Sequence, residues 1–228
     1  MRHEMLGGDT FPIMKCYLEK GESIRAESGA MVSMSSNMTL TGKMDGGFGK
    51  ALGRMLFTGE SFFLQSIEAQ TAPGWVMLAT PAPGGIVPVE LDGSHEWIVQ
   101  KGGFLAGTQA VQISAKAQSL TKGLFSGEGF FIVKIGGTGT VFFSSYGSII
   151  PVDVGEGETV RIDNGHLVAW HADMKYKLTK GGTSWVSSFT SGEGIACLFQ
   201  GPGRVYIQTR NPRDLGGWLS PFIIFPKN

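Results

Sequence analysis

The sequence predicts an all-β protein built from three tandem copies of one unit, and three observations carry that expectation. Glycine fills 35 of 228 positions while charged residues make up only 17%, a balance that suits short strands and tight turns better than helices. Hydrophobic residues at 42% suffice to close a core, whereas a disordered chain would need less hydrophobicity and more net charge. Third, a turn of an aromatic residue, a hydroxyl, Gly and Glu, followed by an apolar strand, occurs three times, and self-similarity at a near-constant period marks a repeat architecture.

The three turns run over 57–64, 125–132 and 189–196, the last with one extra residue. Their glutamates, Glu60, Glu128 and Glu193, are 68 and 65 positions apart. After each turn a glycine opens an alternating strand, at Gly74, Gly139 and Gly203. Each unit begins on a proline between apolar residues, Pro12, Pro88 and Pro151, and Pro at the first residue of a strand needs no ladder donor. Next comes Gly21-Glu22-Ser23-Ile24-Arg25-Ala26-Glu27-Ser28-Gly29, matched by Gly157-Glu158-Thr159-Val160-Arg161-Ile162-Asp163-Asn164-Gly165 and more loosely by the stretch from Gly93 to Leu105. Period-2 alternation between Gly, Asn-Gly, Ser-Gly and Pro-Gly turns gives six or seven short strands per unit. The recurring glycines read as backbone positions that require positive φ. The units are expected at 1–83, 84–147 and 148–228, joined by short links at 81–85 and 144–148, with an apolar tail closing the third.

Cys16 and Cys197 lie in alternating apolar runs and read as small core residues of a reduced compartment. The N-terminal segment has no apolar stretch of signal-peptide length and carries acids early. The charge-free stretch from Ile135 to Val152 holds four glycines and Pro151, so it reads as two strands and a turn, not a membrane helix. A cytoplasmic protein is expected.

The segment from Gly21 to Met31, the run from Gly46 to Leu56 into Thr58-Gly59-Glu60-Ser61-Phe62-Phe63, and Asp163 to Trp170 resemble the bacterial family related to the mitochondrial biogenesis protein called altered inheritance of mitochondria. The resemblance covers nearly the whole chain. It implies three tandem domains similar to the trp RNA-binding attenuation protein (TRAP-like), each a β-sandwich or short double-stranded β-helix, and homotrimers whose nine domains close a ring. It implies no activity.

The chemistry-bearing residues are sparse. His3, His95, His166 and His171 form no His-x-His pair, and a metal oxygenase would need two or three His and a carboxylate converging on one open site. His166 and His171, on one extended strand, would point to opposite faces. No cofactor is expected, and no transition metal on the purified protein. The stretch Gly46 to Ala51 fails as a phosphate loop, because Met44 and Ala51 stand where Gly and a hydroxyl are needed; it leads instead into an amphipathic turn with Lys50 and Arg54 on one side. No Gly-x-Ser-x-Gly elbow or local Cys–His arrangement is present, so no enzymatic activity is expected. Glu60, Glu128 and Glu193, with Lys50 and Arg54, are the candidates for ligand or partner binding. The glutamates read first as acceptors for turn amides or for Arg25 and Arg161.

RNA binding by analogy with the attenuation protein would require Lys or Arg recurring in one register per unit, and none does. With 19 basic and 19 acidic residues, the counterion-release contribution to nucleic-acid affinity is small. The function expected is that of a non-enzymatic, ring-forming oligomeric scaffold or binding protein, and the alternative is RNA or a small ligand bound at the domain junctions. The tail from Trp218 to Pro226 is too short and Pro-broken to span a bilayer, and a monomer seldom leaves such a patch in water. Trp218, Leu219, Phe222 and Phe225 are expected to dock on a neighbouring subunit or on the first unit. The partner expected is a further copy of the chain, in a homotrimer, and neither nucleic acid nor membrane. Strands at 11–18 and 203–210 are expected to leave unpaired edges that drive this assembly.

Overall fold

The computed structural model describes residues 1–8, 10–41, 64–100, 102–118, 130–180 and 195–223. Among these residues it is all-β apart from short helical turns and one helix near the C-terminus. The strands fall into three groups along the chain. The first holds β1 (Arg2–Leu6), β2 (Ile13–Leu18), β3 (Ser23–Glu27), β4 (Met31–Met34), β5 (Thr39–Thr41), β6 (Leu64–Glu68) and β7 (Gly74–Leu78). The second holds β8 (Ile86–Asp92), β9 (Trp97–Gln100), β10 (Phe104–Thr108), β11 (Val111–Gln118) and the long β12 (Phe130–Ser144). The third holds β13 (Ile149–Val154), β14 (Thr159–Asp163), β15 (Leu167–His171), β16 (Lys175–Lys180), β17 (Ile195–Gln200) and β18 (Gly203–Gln208), followed by α1 (Pro212–Leu219).

Strict alternation fixes which face each strand buries. In β2, Met14, Cys16 and Leu18 point into the core while Ile13, Lys15 and Tyr17 are half-exposed, as a period-2 pattern requires. Both thiols are buried, and that burial pushes each up to about 12, in keeping with a packing role for Cys16 and Cys197. The equivalent glycines Gly21, Gly93 and Gly157 all take positive φ, between 78° and 85°, which is the reason for glycine at that turn.

The same antiparallel pairings recur in each group. β2 pairs β7, β8 pairs the second half of β12, and β13 pairs β18. β3 pairs β6, β9 pairs the first half of β12, and β14 pairs β17. β4, β10 and β15 then join β7, β12 and β18, each through one bulge, at Val32, Leu105 and Val168. In the first and third groups, turns separate β6 from β7 and β17 from β18; in the second the two expected strands fuse into the 15-residue β12.

Two ladders weld the groups together, and they use one register. Ala106 of β10 stands opposite Ala26 of β3, and Ala169 of β15 opposite Val99 of β9; Ala26 and Val99 hold the same place in their groups, opposite Gln65 and Val133. Each core is accordingly finished by the next group. Leu105 and Phe142 enter the core of Met14, Leu18, Ile24 and Val76, and Val168 and Tyr206 enter the core of Trp97, Val99 and Phe143. The two links expected at 81–85 and 144–148 meet each other, because Gly85 N–H donates to Gly147 O at 2.8 Å and Gly147 N–H to Pro83 O at 2.9 Å.

The expected free edges are corrected by this topology. β2, at 13–18, is flanked by β1 and β7, and β18, at 203–208, by β13 and β15; being first and last in the chain does not make a strand outermost in its sheet. Strands in the positions of β5, β11 and β16 end a ladder in every group. Among the described residues, β4 of the first group and β14 of the third lack the neighbour that their equivalents have.

Candidate functional site

The junction between the second and third groups carries the densest polar chemistry among the described residues. β15 ends at His171, directly opposite Trp97 in the ladder with β9. The His171 and Trp97 rings meet edge-on at 4.3 Å, and Tyr206 of β18 packs on Trp97 at 5.3 Å. His95, from the turn ahead of β9, stacks face to face on His171, with centroids 4.6 Å apart and planes within 4°. Its Nδ1 lies 3.6 Å from Asp173 Oδ2. His95 and His171 rim a groove of about 610 Å³ whose walls include Pro88, Leu91, Trp97, Arg204 and Tyr206.

The electrostatics follow from burial and pairing. Burial first, and the adjacent His95 second, hold the His171 imidazole below its ordinary pKa, since a charged ring there would lose water and face a second cation-forming group. Its Nδ1 accepts from the Arg204 backbone N–H at 3.4 Å. The Arg204 guanidinium grips Asp153 bidentately, at 2.6 and 2.9 Å, which keeps that carboxyl below its usual range. Asp92 is lowered by its bonds from the Ser94 hydroxyl and N–H.

The expectation of no metal rested on histidine spacing within one strand. His166 instead lies in a 3₁₀ turn, its Nδ1 against Gln208 O at 2.7 Å, and His171 meets His95 from another group. The two are 76 positions apart in sequence, so no local pattern could have found them. The group His95, His171 and Asp173 has ligand atoms within 4.8 Å of one another.

The other site residues fare as follows. Lys50, Arg54, Glu60, Glu128, Glu193 and Phe225 lie outside the described residues. Arg25 reaches across the first junction, where its guanidinium donates to Gln109 O at 3.2 Å and to Val111 O. Trp218, at 66% exposure, and Phe222, at 69%, pack on each other at 5.6 Å, and Leu219 is half-buried. Docking of Trp218 and Phe222 on the first unit of the same chain is thereby corrected. A helix that follows directly on β18 presents them to solvent.

The fold and its junctions define a class: an all-β protein whose successive strand groups are joined in one register, each plugging the core of the one before. The chain belongs to the family described as mitochondrial biogenesis AIM24, whose family model matches residues 3–210. An uncharacterised protein of Streptococcus pyogenes serotype M6 is 34% identical over 220 residues, covering 93% of this chain and 87% of that one. A crystal structure of a Streptococcus pyogenes protein superposes with a TM-score of 0.81 at 32% identity, covering 97% of this chain and 99% of the other.

Proposed function

We propose that the protein is a non-enzymatic cytoplasmic scaffold whose three strand groups are TRAP-like repeats, at 1–83, 84–147 and 148–228, and that three chains join head to tail into a closed ring. One observation carries this reading. The bulge residues Leu105 and Val168 are 0% and 1% exposed because each plugs the preceding core, while their equivalent in the first group, Val32, is 52% exposed. Among the described residues no other strand group lies against Val32, so it enters no neighbouring core. The third group offers the complementary half, a β14 with no neighbour outside β17 among the described residues.

Transferring the shared register gives the contact between chains. Ser33 of one chain stands opposite Ile162 of the next, and Met34 opposite Arg161. A heterologous contact of this kind closes a ring or grows into a filament; three chains is the number that the family resemblance implies. Burying the exposed half of Val32 contributes about 1 kcal/mol per contact. α1 is capped by Asn211, which packs on Gly165 just past β14, so the helix begins beside the same edge. No described helix is long and apolar enough to cross a membrane.

A second reading, a small-ligand binder, is favoured by the groove over Trp97 and Tyr206. Its analogy with RNA binding lacks a recurring cationic register and any net positive charge.

Sedimentation velocity of the unmodified protein and of Val32→Asp tests the scaffold reading. The unmodified chain is expected to sediment as three copies, and Val32→Asp as a folded single chain. A monomer of 24.4 kDa for the unmodified protein would contradict it.

A further inference from the structure

The geometry points to a divalent transition-metal site made by His95, His171 and Asp173 at the seam between the second and third strand groups. The three side chains come from two groups, His95 from the turn between β8 and β9, His171 and Asp173 from the end of β15 and the turn after it. The backbone beside the ligands is fixed. Ala172 N–H donates to Glu96 O at 2.7 Å, and His171 faces Trp97 in the ladder. The relation between the two histidines is therefore set by the junction rather than by free loops.

Two imidazoles and one carboxylate are donors suited to Zn(II) and Co(II) rather than to Ca(II) or Mg(II), which prefer all-oxygen shells. One ligand atom from each residue lies within 4.8 Å of the others. Zinc–nitrogen bonds of about 2.0–2.1 Å place neighbouring tetrahedral donors about 3.4 Å apart, so the widest pair must close by up to about 1.4 Å. The side chains of His95 and Asp173, 50% and 68% exposed, are free to turn inward, and they already approach to 3.6 Å. Coordination opens the stack of His95 on His171, and where His171 ligates through Nδ1 it also gives up one long contact, from Arg204 N–H at 3.4 Å.

The remaining coordination positions face solvent, where the 610 Å³ groove meets a second groove of about 520 Å³ that His95 and Asp173 also line. An ion held there staples the second group to the third and keeps an exchangeable position for water or an anionic or imidazole-like ligand, as three-ligand zinc sites do. This does not depend on ring closure.

The test uses the full chain, stripped with a chelator and titrated with Zn(II) and separately with Co(II). Calorimetry is expected to give one zinc per chain, cobalt a visible d–d band that zinc abolishes, and zinc a higher Tm. Because His171 packs on Trp97, the exposed ligands carry the test. His95→Ala and Asp173→Asn are each expected to keep the metal-free Tm and to weaken zinc binding by about 10-fold or more. Absence of both the zinc heat and the cobalt band in the unmodified protein would overturn the site. So would zinc binding of undiminished strength in both variants.

Discussion

Arg25 in β3 and Arg161 in β14 occupy the same place in matching Gly-Glu-x-x-Arg segments, yet only Arg25 has the carbonyls of a following group to hold. Its guanidinium donates to Gln109 O in the turn between β10 and β11 and to Val111 O at the start of β11. Arg161 is exposed on a strand with one neighbour among the described residues. Head-to-tail closure gives Arg161 the corresponding carbonyls, those of Ser36 and Met38 in the next chain.

Arg161→Ala is accordingly expected to weaken assembly without lowering the stability of the single chain. Arg25→Ala is expected to lower chain stability by about 1.5–3 kcal/mol, the contribution of hydrogen bonds from a charged donor. Urea unfolding and sedimentation, run on both variants, separate the two effects.

Gly84 sits where the links cross, bridging Gly147. A Cβ there would stand 1.6 Å from Ser145 O, a backbone atom that cannot step aside. Gly84→Ala is expected to destabilise the chain by about 1–3 kcal/mol or more, measured as a lower urea midpoint at unchanged m-value.

His171 makes stability depend on pH. With its pKa lowered in the folded state, the unfolded chain binds the proton more readily, so stability rises with pH. The contribution is complete above about 6.5, the ordinary imidazole value, and is lost as pH falls below it. His95, Asp173, Arg204 and Asp153 are the charged or titratable groups acting on it. Metal-free protein is expected to unfold at lower urea at pH 5.5 than at pH 7.5, with a smaller difference in His171→Gln. The lowered carboxyls of Asp92 and Asp153 act only in a more acidic range.

The aromatic pair of the tail supplies a further readout. Trp218→Ala with Phe222→Ala removes two rings that are now exposed and is expected to loosen the assembly, since aromatic anchors dominate interfaces. A concentration series in sedimentation would measure it. An unchanged assembly would remove the tail from the interface and leave the strand contact.

The local rules were legible in the sequence and the long-range ones were not. Gly21, Gly93 and Gly157 declared their positive φ by recurring at one turn, and Cys16 and Cys197 declared their burial by alternation. The bulges did not. Met31-Val32-Ser33, Phe104-Leu105-Ala106 and Leu167-Val168-Ala169 all read as short apolar runs, and nothing in them says that two are plugged and one is bare. That difference arises from having a preceding group in the same chain. Strand order within a group is likewise a matter of pairing partner rather than chain position, which is why β2 and β18 are interior. His95 and His171 belong to separate strand groups, 76 positions apart in sequence, so no local pattern announces their meeting.

The most direct test of head-to-tail closure is a disulfide trap at the register carried over from the two internal junctions. Met34→Cys with Arg161→Cys places thiols on strands whose opposed Cα atoms lie about 4.5–5.5 Å apart, within disulfide reach, while Cys16 and Cys197 stay buried at 0% exposure. Mild oxidation and denaturing electrophoresis are then read for size. Closure predicts a covalent product of three 24.4 kDa chains as the end point, with each single-cysteine variant remaining a single chain. Failure of the double variant to cross-link although the protein is assembled, or a ladder extending past three chains, would contradict it.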